Sequence, residues 1–429
     1  MKDLIRRAVV TVMTMLARAV VRRYQPRIIL VTGSVGKTST KDALFATMKP
    51  KFFVRKSQKS FNSDIGVPLA VLGVPNGWGN PLRWIRNMIE GALLVLIRAP
   101  YPEWLIVEVG ADRPGDITTS LAWLRPRIVV ATRFPAVPVH VEFYDSPEAV
   151  RAEELAPLSW LLPGGVAVVN ADDESVIAVP LADGVDRLTY GFHPKAHVRA
   201  SRFKTLTEDR LPRGISFDVS FLGEKVHVVL PGVTGRGHAY AALGAIAGAL
   251  AAEVPLEVAA RGLAEYEEPP SRMRLIEGVH GSMLIDDTYN ASPAAVTAAL
   301  ETLAEIPHTG RRIAVLADML ELGAYSPDEH EKAGALAARS ADIVLTVGVR
   351  ARKIADAARA SGMAPESVLS FDTALDAAQH LERMVGAGDI VLAKGSQGMR
   401  MERVVKALMA EPERAKELVC RQDAEWLVR

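Results

Sequence analysis

A single cysteine, Cys420, in 429 residues excludes an internal disulfide framework and a zinc site built on cysteine. A reducing cytoplasm suits such a chain. There is little excess of charge either: 51 lysines and arginines face 50 acids, so bulk electrostatics give no support to nucleic-acid binding. Long apolar runs are scarce. The N-terminal stretch is interrupted by Arg18, which leaves it too short and too charged to read as a signal peptide or a membrane span. No repeat or low-complexity tract stands out.

What remains is an ordinary globular balance, 49% hydrophobic and 24% charged, over a length that suits two or three domains. The charge is unevenly placed: residues 1 to 23 hold six basic side chains and one acid. A helix is expected over residues 4–23, with Arg7, Thr11, Thr14, Arg18 and Arg22 on one stripe and apolar residues over the rest. Such a helix either packs on the protein or lies in a membrane interface with its arginines at the headgroups. Residues 82–97 form a second candidate of this kind.

Arg27–Val31, Trp104–Val107, Arg127–Val130 and Val166–Val169 read as buried strands, and helical stretches such as Pro147–Trp160 separate several of them. That alternation is expected of a parallel sheet. Residues 196–230 read as antiparallel strands, and His238–Ala252 as an Ala-rich helix. Glu267-Glu268-Pro269-Pro270 makes a plausible hinge. Beyond it a second α/β alternation begins, with strands at Arg312–Leu316, Ile343–Val347 and Ile390–Ala393.

The first strand runs into Thr32-Gly33-Ser34-Val35-Gly36-Lys37-Thr38, with a helix expected from about Ser39. Glycines let backbone N–H groups turn towards phosphate oxygens, and a helix N-terminus favours an anion there. Lys37 can neutralise terminal phosphates and the Thr38 hydroxyl can ligate magnesium. The strict phosphate-loop pattern is not met, because Val31 stands where its first glycine would be. A magnesium site also needs a carboxylate from another strand. Glu108 ends an apolar strand in the same unit; Asp286 and Asp287 also end one, but beyond the hinge.

Several segments together resemble the Mur ligases, and within them the D-alanyl-D-alanine-adding type. They are Thr32–Thr38, Phe61–Leu69, Glu108–Ala111, Asn170–Glu174, Asp287–Pro293 with Asp286 before it, Ala317–Gly323 and Lys394–Glu402, in family order. After the basic amphipathic helix read over 1–25, the resemblance implies an α/β protein with a central P-loop-type parallel-sheet ATPase domain over 26–268 and a C-terminal Rossmann-like α/β domain over 269–429. It implies ATP-dependent amide-bond formation through an acyl phosphate, with ATP and Mg²⁺. The partners implied are a small-molecule or lipid-linked cell-wall precursor and an amino acid or dipeptide.

By position, Gly33, Ser34, Val35, Gly36, Lys37, Thr38 and Ser39 would bind the phosphates. Thr38 and Glu108 would hold one magnesium, and His140 would serve a second. Asn62 would face the reacting groups. Arg272, Asp287, Tyr289 and Asn290 would complete the nucleotide site, and Ser396 and Arg400 would receive the amine.

Three departures accompany the resemblance. Where the family carries a carbamylated lysine for the second magnesium, an ungapped count gives Glu154. It either supplies that charge directly or is a solvated helix glutamate. The family's His-Asn pair with a further Asn becomes His238-Ala239-Tyr240-Ala241-Ala242, so both amides are missing, which puts adenine affinity or nucleotide choice in doubt. The phosphate loop also begins only about thirty residues in, where the family places a uridine-diphosphate-binding domain first. Residues 4–23 and 82–97 are expected instead to touch a membrane surface from the cytoplasmic side. Two other readings compete: a nucleotide-binding scaffold that has lost catalysis, and a ligase acting on a folate or another polymer.

Overall fold

The computed structural model describes residues 2–58, 62, 64–423 and 426. Phe61 and Ser63 of the motif at 61–69 lie outside the described residues. Two sheets organise the chain. The first has nine strands: β1 (Arg27–Thr32), β2 (Val54–Lys56), β3 (Trp104–Glu108), β4 (Ile128–Ala131), β5 (Val166–Asn170), β6 (Asp186–Gly191), β7 (Val198–Glu208), β8 (Leu211–Phe221) and β9 (Glu224–Pro231). Their spatial order is β2-β3-β1-β4-β5-β6-β7-β8-β9, parallel as far as β7 and antiparallel through β8 and β9.

Successive side chains on a strand point to opposite faces, and a sheet covered on both faces needs apolar residues at every position. That is why β1, β3 and β4 read as unbroken apolar runs. Ile29, Val31, Ile106 and Val130 join one core, and Ile28, Leu30, Leu105 and Val129 join the other.

Four helices lie early in the chain: α1 (Lys2–Tyr24), α2 (Lys37–Met48), α3 (Gly66–Leu72) and α4 (Pro81–Leu96). Met13, Ala17 and Val20, spaced four and three apart, are fully buried on the sheet side of α1. Helix α4 starts with Asn80 accepting from the Arg83 N–H at 3.2 Å and Pro81 in the first turn, and Tyr24 of α1 donates to the Leu94 carbonyl at 3.0 Å.

The second sheet comprises β10 (Arg274–Glu277), β11 (Met283–Asp287), β12 (Arg312–Ala317), β13 (Ile343–Val347), β14 (Val368–Phe371) and β15 (Ile390–Lys394), in the order β10-β11-β15-β12-β13-β14. Only the β10–β11 pair is antiparallel. Insertion of β15 between β11 and β12 pairs Lys394 with Asp287 in register. The helix after the glycine loop begins at Lys37, two residues before the sequence-based expectation. Gly36 turns the chain at φ 88°, and its carbonyl accepts the Thr40 N–H at 2.9 Å.

Candidate active site

The C-terminal ends of parallel strands gather the loops that follow them, so ligands of open α/β sheets bind there. In the first sheet Val31 pairs with Glu108, which sets the glycine loop beside that carboxylate. The loop itself demands glycine at its start. Gly33 has φ 123°, and a Cβ there would stand 2.2 Å from the Thr132 hydroxyl. The N–H groups of Ser34 and Val35 donate to the Arg133 carbonyl at 3.0 and 3.3 Å, which anchors the loop to the end of β4.

Glu108 is buried. Its Oε1 accepts from the Thr38 hydroxyl at 3.2 Å and lies 3.5 Å from the Asn62 amide nitrogen. Its Oε2 is buried and receives no hydrogen bond; the Lys41 ammonium stands 3.6 Å away. A buried carboxylate oxygen left open beside a hydroxyl offers two hard oxygen donors. Among the described residues, no three His, Cys, Asp or Glu side chains converge to hold a cation unaided. Mg²⁺ generally takes one or two carboxylates together with phosphate oxygens and water, so Thr38 and Glu108 suit an ion carried in with a nucleotide.

Glu154, on the helix Pro147–Ser159, is buried and not solvated. It accepts from the Ser34 hydroxyl at 2.5 Å and lies 3.8 Å from the Lys37 ammonium. Burial pushes its carboxyl above the ordinary range, and Lys37 opposes that rise. Lys37 meanwhile folds back onto the Gly33 carbonyl. Neighbouring Glu153 points elsewhere and accepts the N–H of Ile117 at 3.0 Å at a helix start.

His140 adopts a left-handed backbone, φ 69°. Its ring nitrogens stand 3.4 Å from Asp112 and 2.6 Å from Glu321, the latter carried by the loop after β12. Contact with His140 holds the Glu321 carboxyl below its usual range. His140 thus ties the two halves of the chain together.

A cleft opens between the sheets, lined by Ser34, Gly36 and Ser39 on one side and Arg272, Asp287 and Lys394 on the other. Asp287 pairs with the Lys394 ammonium at 2.5 Å, and that ammonium also donates to the Asn290 carbonyl at 3.0 Å. The Arg272 guanidinium covers the Tyr289 ring, 4.0 Å from its centre. Of the altered His-Ala-Tyr-Ala-Ala segment, His238, Tyr240 and Ala241 line the same cleft. A second cleft is formed by His140, Asn290, Glu321, Ser396, Arg400 and Trp426. Within it the Ser396 hydroxyl accepts the Leu320 N–H at 2.8 Å, and Arg400 donates to Glu402 at 2.5 Å.

Sequence reasoning did not foresee Glu268. Its place in an acidic, proline-rich segment marked only a hinge, yet it is buried and joins His238, Ser39 and Tyr266. Lys41 and Arg133 were also missed. Lys41 carried a signal, since Lys37 and Lys41 are one helical turn apart on the same face.

Residues 87–249 match the Mur ligase middle domain, and residues 271–397 match the domain described as Mur ligase, glutamate ligase domain. UDP-N-acetylmuramoyl-tripeptide–D-alanyl-D-alanine ligase of Escherichia coli (strain K12) is 30% identical over 392 residues, covering 90% of this chain and 78% of the relative. The protein of the same name from Bacillus subtilis (strain 168) is 27% identical over 411 residues, covering 94% and 80%. In three dimensions the MurF ligase of Thermotoga maritima, solved in complex with ADP, superposes with a TM-score of 0.75. The pair share 23% identity, covering 95% of this chain and 84% of that one.

Proposed function

This chain belongs to the Mur ligase family, and from that premise we propose that it joins a cell-wall precursor carboxylate to an amino acid or D-alanyl-D-alanine-like dipeptide at the expense of ATP. The observation that carries the proposal is the shared cleft, in which the glycine loop from the first sheet faces Arg272, Asp287 and Lys394 from the second.

In the proposed reaction an oxygen of the acceptor carboxylate attacks the γ-phosphorus of ATP, and ADP leaves. The amine nitrogen then attacks the acyl-phosphate carbon. Phosphate departs with the former carboxylate oxygen, the nitrogen gives up a proton, and an amide remains. Such transfers are accelerated mainly by positioning and by neutralising the charge that builds on the phosphoryl oxygens.

Lys37 swings from the Gly33 carbonyl onto the terminal phosphates, while Ser34, Val35, Gly36 and Ser39 line their seat. Thr38 and Glu108 would hold Mg²⁺, which would supply positive charge against the phosphates. His140 and Glu154 would hold a second cation, with Glu154 giving the negative charge that a carbamylated lysine gives elsewhere in the family. Asn62, against Glu108, orients the reacting carboxylate. Arg272, Asp287, Tyr289 and Asn290 close over the nucleotide. Ser396 and Arg400 receive the amine substrate in the second cleft, beside His140. ATP is a cytoplasmic co-substrate, so the reaction belongs on the cytoplasmic side, with residues 4–23 and 82–97 touching the membrane from within.

The test mixes the purified chain with ATP, Mg²⁺, a panel of carboxylate acceptors that includes UDP-N-acetylmuramoyl-tripeptide, and amines that include D-alanyl-D-alanine. Phosphate release that requires both an acceptor and an amine, with a product mass equal to their condensation, is the expected result. ATP binding without turnover on any pair would leave a nucleotide-binding scaffold in its place.

A further inference from the structure

Helix α4 buries Asn87 and Gly91 and turns a different face outward. Leu82, Ile85, Ile89, Leu93 and Leu96 recur at intervals of three, four, four and three residues, so they share one side of the helix. They are 76%, 54%, 55%, 46% and 74% exposed, and Ile97 beyond them is 60% exposed. Helix α1 packs alongside, with Leu16 close to Gly91 and Tyr24 bonded to Leu94, and adds exposed Val12 and Met15. Soluble proteins rarely leave so large a contiguous apolar strip in water without a use for it.

The rim of the strip is basic. From Arg6 to Tyr24, α1 carries five arginines and no acid, and Arg7, Arg18, Arg22 and Arg23 are exposed. Exposed Arg86 and Arg98 lie on and just beyond α4. The acids facing this set are Asp64 and Glu90, which pair with Arg6 and Arg86 at 2.8 and 2.7 Å. No helix among the described residues is long and apolar enough to cross a membrane.

We propose that the outer face of α1 and α4 lies in the interface of an anionic lipid bilayer, with Leu82, Ile85, Ile89, Leu93 and Leu96 among the acyl chains and the arginines at phosphate headgroups. An amphipathic pair lying in the membrane plane needs this combination of apolar strip and cationic border. A second copy fits worse, because a two-fold contact through this face would press one arginine border against another. The inference deepens the membrane contact named above. It stands on the exposed face and not on the catalytic reading, so a lipid-binding assay and a ligase assay fail separately.

The experiment is co-sedimentation of the full chain with vesicles of phosphatidylcholine containing about 30% phosphatidylglycerol, and with phosphatidylcholine alone. Binding is expected to the anionic vesicles only, and to weaken with added salt. Two variants, Ile85→Ser/Ile89→Ser/Leu96→Ser and Arg18→Glu/Arg22→Glu, should each lower the partition coefficient about tenfold or more. Both should keep the parent's melting temperature, because the changed side chains face water. Failure of the parent to sediment with anionic vesicles overturns the proposal, as does undiminished binding by both variants. A dimer in solution that the serine variant breaks, with no sedimentation of either form, assigns the face to a second copy instead.

Discussion

The Nδ1 of His238 lies 2.9 Å from Oε2 of Glu268, and both side chains are almost wholly removed from water. Burial alone would raise the Glu268 carboxyl, but His238, with Ser39 and Tyr266 also donating, brings it below its ordinary 4.5. Burial alone would lower His238, but the Glu268 charge outweighs it and lifts the imidazole above 6.5. The folded chain therefore holds an ionised pair. The pair spans the cleft's edge: His238 and Ser39 line the cleft between the sheets, and the Glu268 carbonyl lies 3.5 Å from the Arg274 guanidinium at the start of the second sheet.

Removing one partner of a buried pair strands the other, and Glu268→Gln should cost about 3 kcal/mol. The pH dependence follows from the two directions. The raised His238 contributes stability below 6.5 that is lost as pH climbs through its folded value. The lowered Glu268 contributes stability above 4.5 that is lost as pH falls through its folded value. Denaturant midpoints across the pH range should therefore show the largest gap between parent and variant from 4.5 to 6.5, and a flat difference would sink the assignment.

Asp286 behaves oppositely. It is fully buried, bonded to Ser271 and Thr288, and burial pushes its carboxyl up from 3.8 to about 6. A carboxyl that holds its proton more tightly when folded loses stability as pH rises between those two values. The full effect is about 3 kcal/mol. Asp286→Asn should erase that fall while keeping acceptors for Thr288. Thermal melts of parent and variant should converge near pH 4 and diverge by pH 7 in favour of the variant.

The parallel core was legible because burial on both faces writes itself into the chain as unbroken apolar runs, as at Ile28–Val31 and Ile128–Val130. The glycine loop was legible because Gly33 and Gly36 meet backbone demands that no other residue meets. Long-range polar contacts were not. Glu321 reaches His140 across 181 positions, and nothing in either neighbourhood encodes that meeting. Glu268 misled because acids beside prolines ordinarily face water. In α1 the arginine stripe was readable, but Met13 and Met15 are equally apolar. Only packing against the first sheet decides that one is buried and the other exposed.

Glu154, proposed to stand in for the carbamylated lysine, has the role most exposed to test. Because burial already disfavours its charge, Glu154→Ala should leave the melting temperature within a few degrees of the parent. It should free Lys37 from its neighbour at 3.8 Å and leave ATP affinity unchanged or improved. Turnover, by contrast, should drop about a hundredfold, with a higher magnesium concentration at half-saturation, since the carboxylate proposed to hold the second cation is gone. Steady-state rates titrated with magnesium decide the matter. Undiminished turnover reduces Glu154 to a brace for Ser34.

Arg400 makes the same kind of claim for the amine. Its Nε is committed to Glu402 and its Nη2 to the Trp426 carbonyl at 3.2 Å, while Nη1 is buried with no hydrogen-bond partner. A planar fork fixed on two sides, with its third nitrogen lacking a partner, suits a carboxylate, and lysine cannot reproduce it. Arg400→Lys should therefore raise KM for an amine substrate bearing a terminal carboxylate about thirtyfold, the worth of about 2 kcal/mol for one charged hydrogen bond. KM for ATP should be unmoved. The sharper comparison uses the same amine with its carboxylate converted to an amide: parent and variant should then bind it equally poorly. If the variant loses as much affinity for the amide as for the acid, Arg400 acts by shaping the cleft between His140 and Trp426, and the carboxylate is read by some other group.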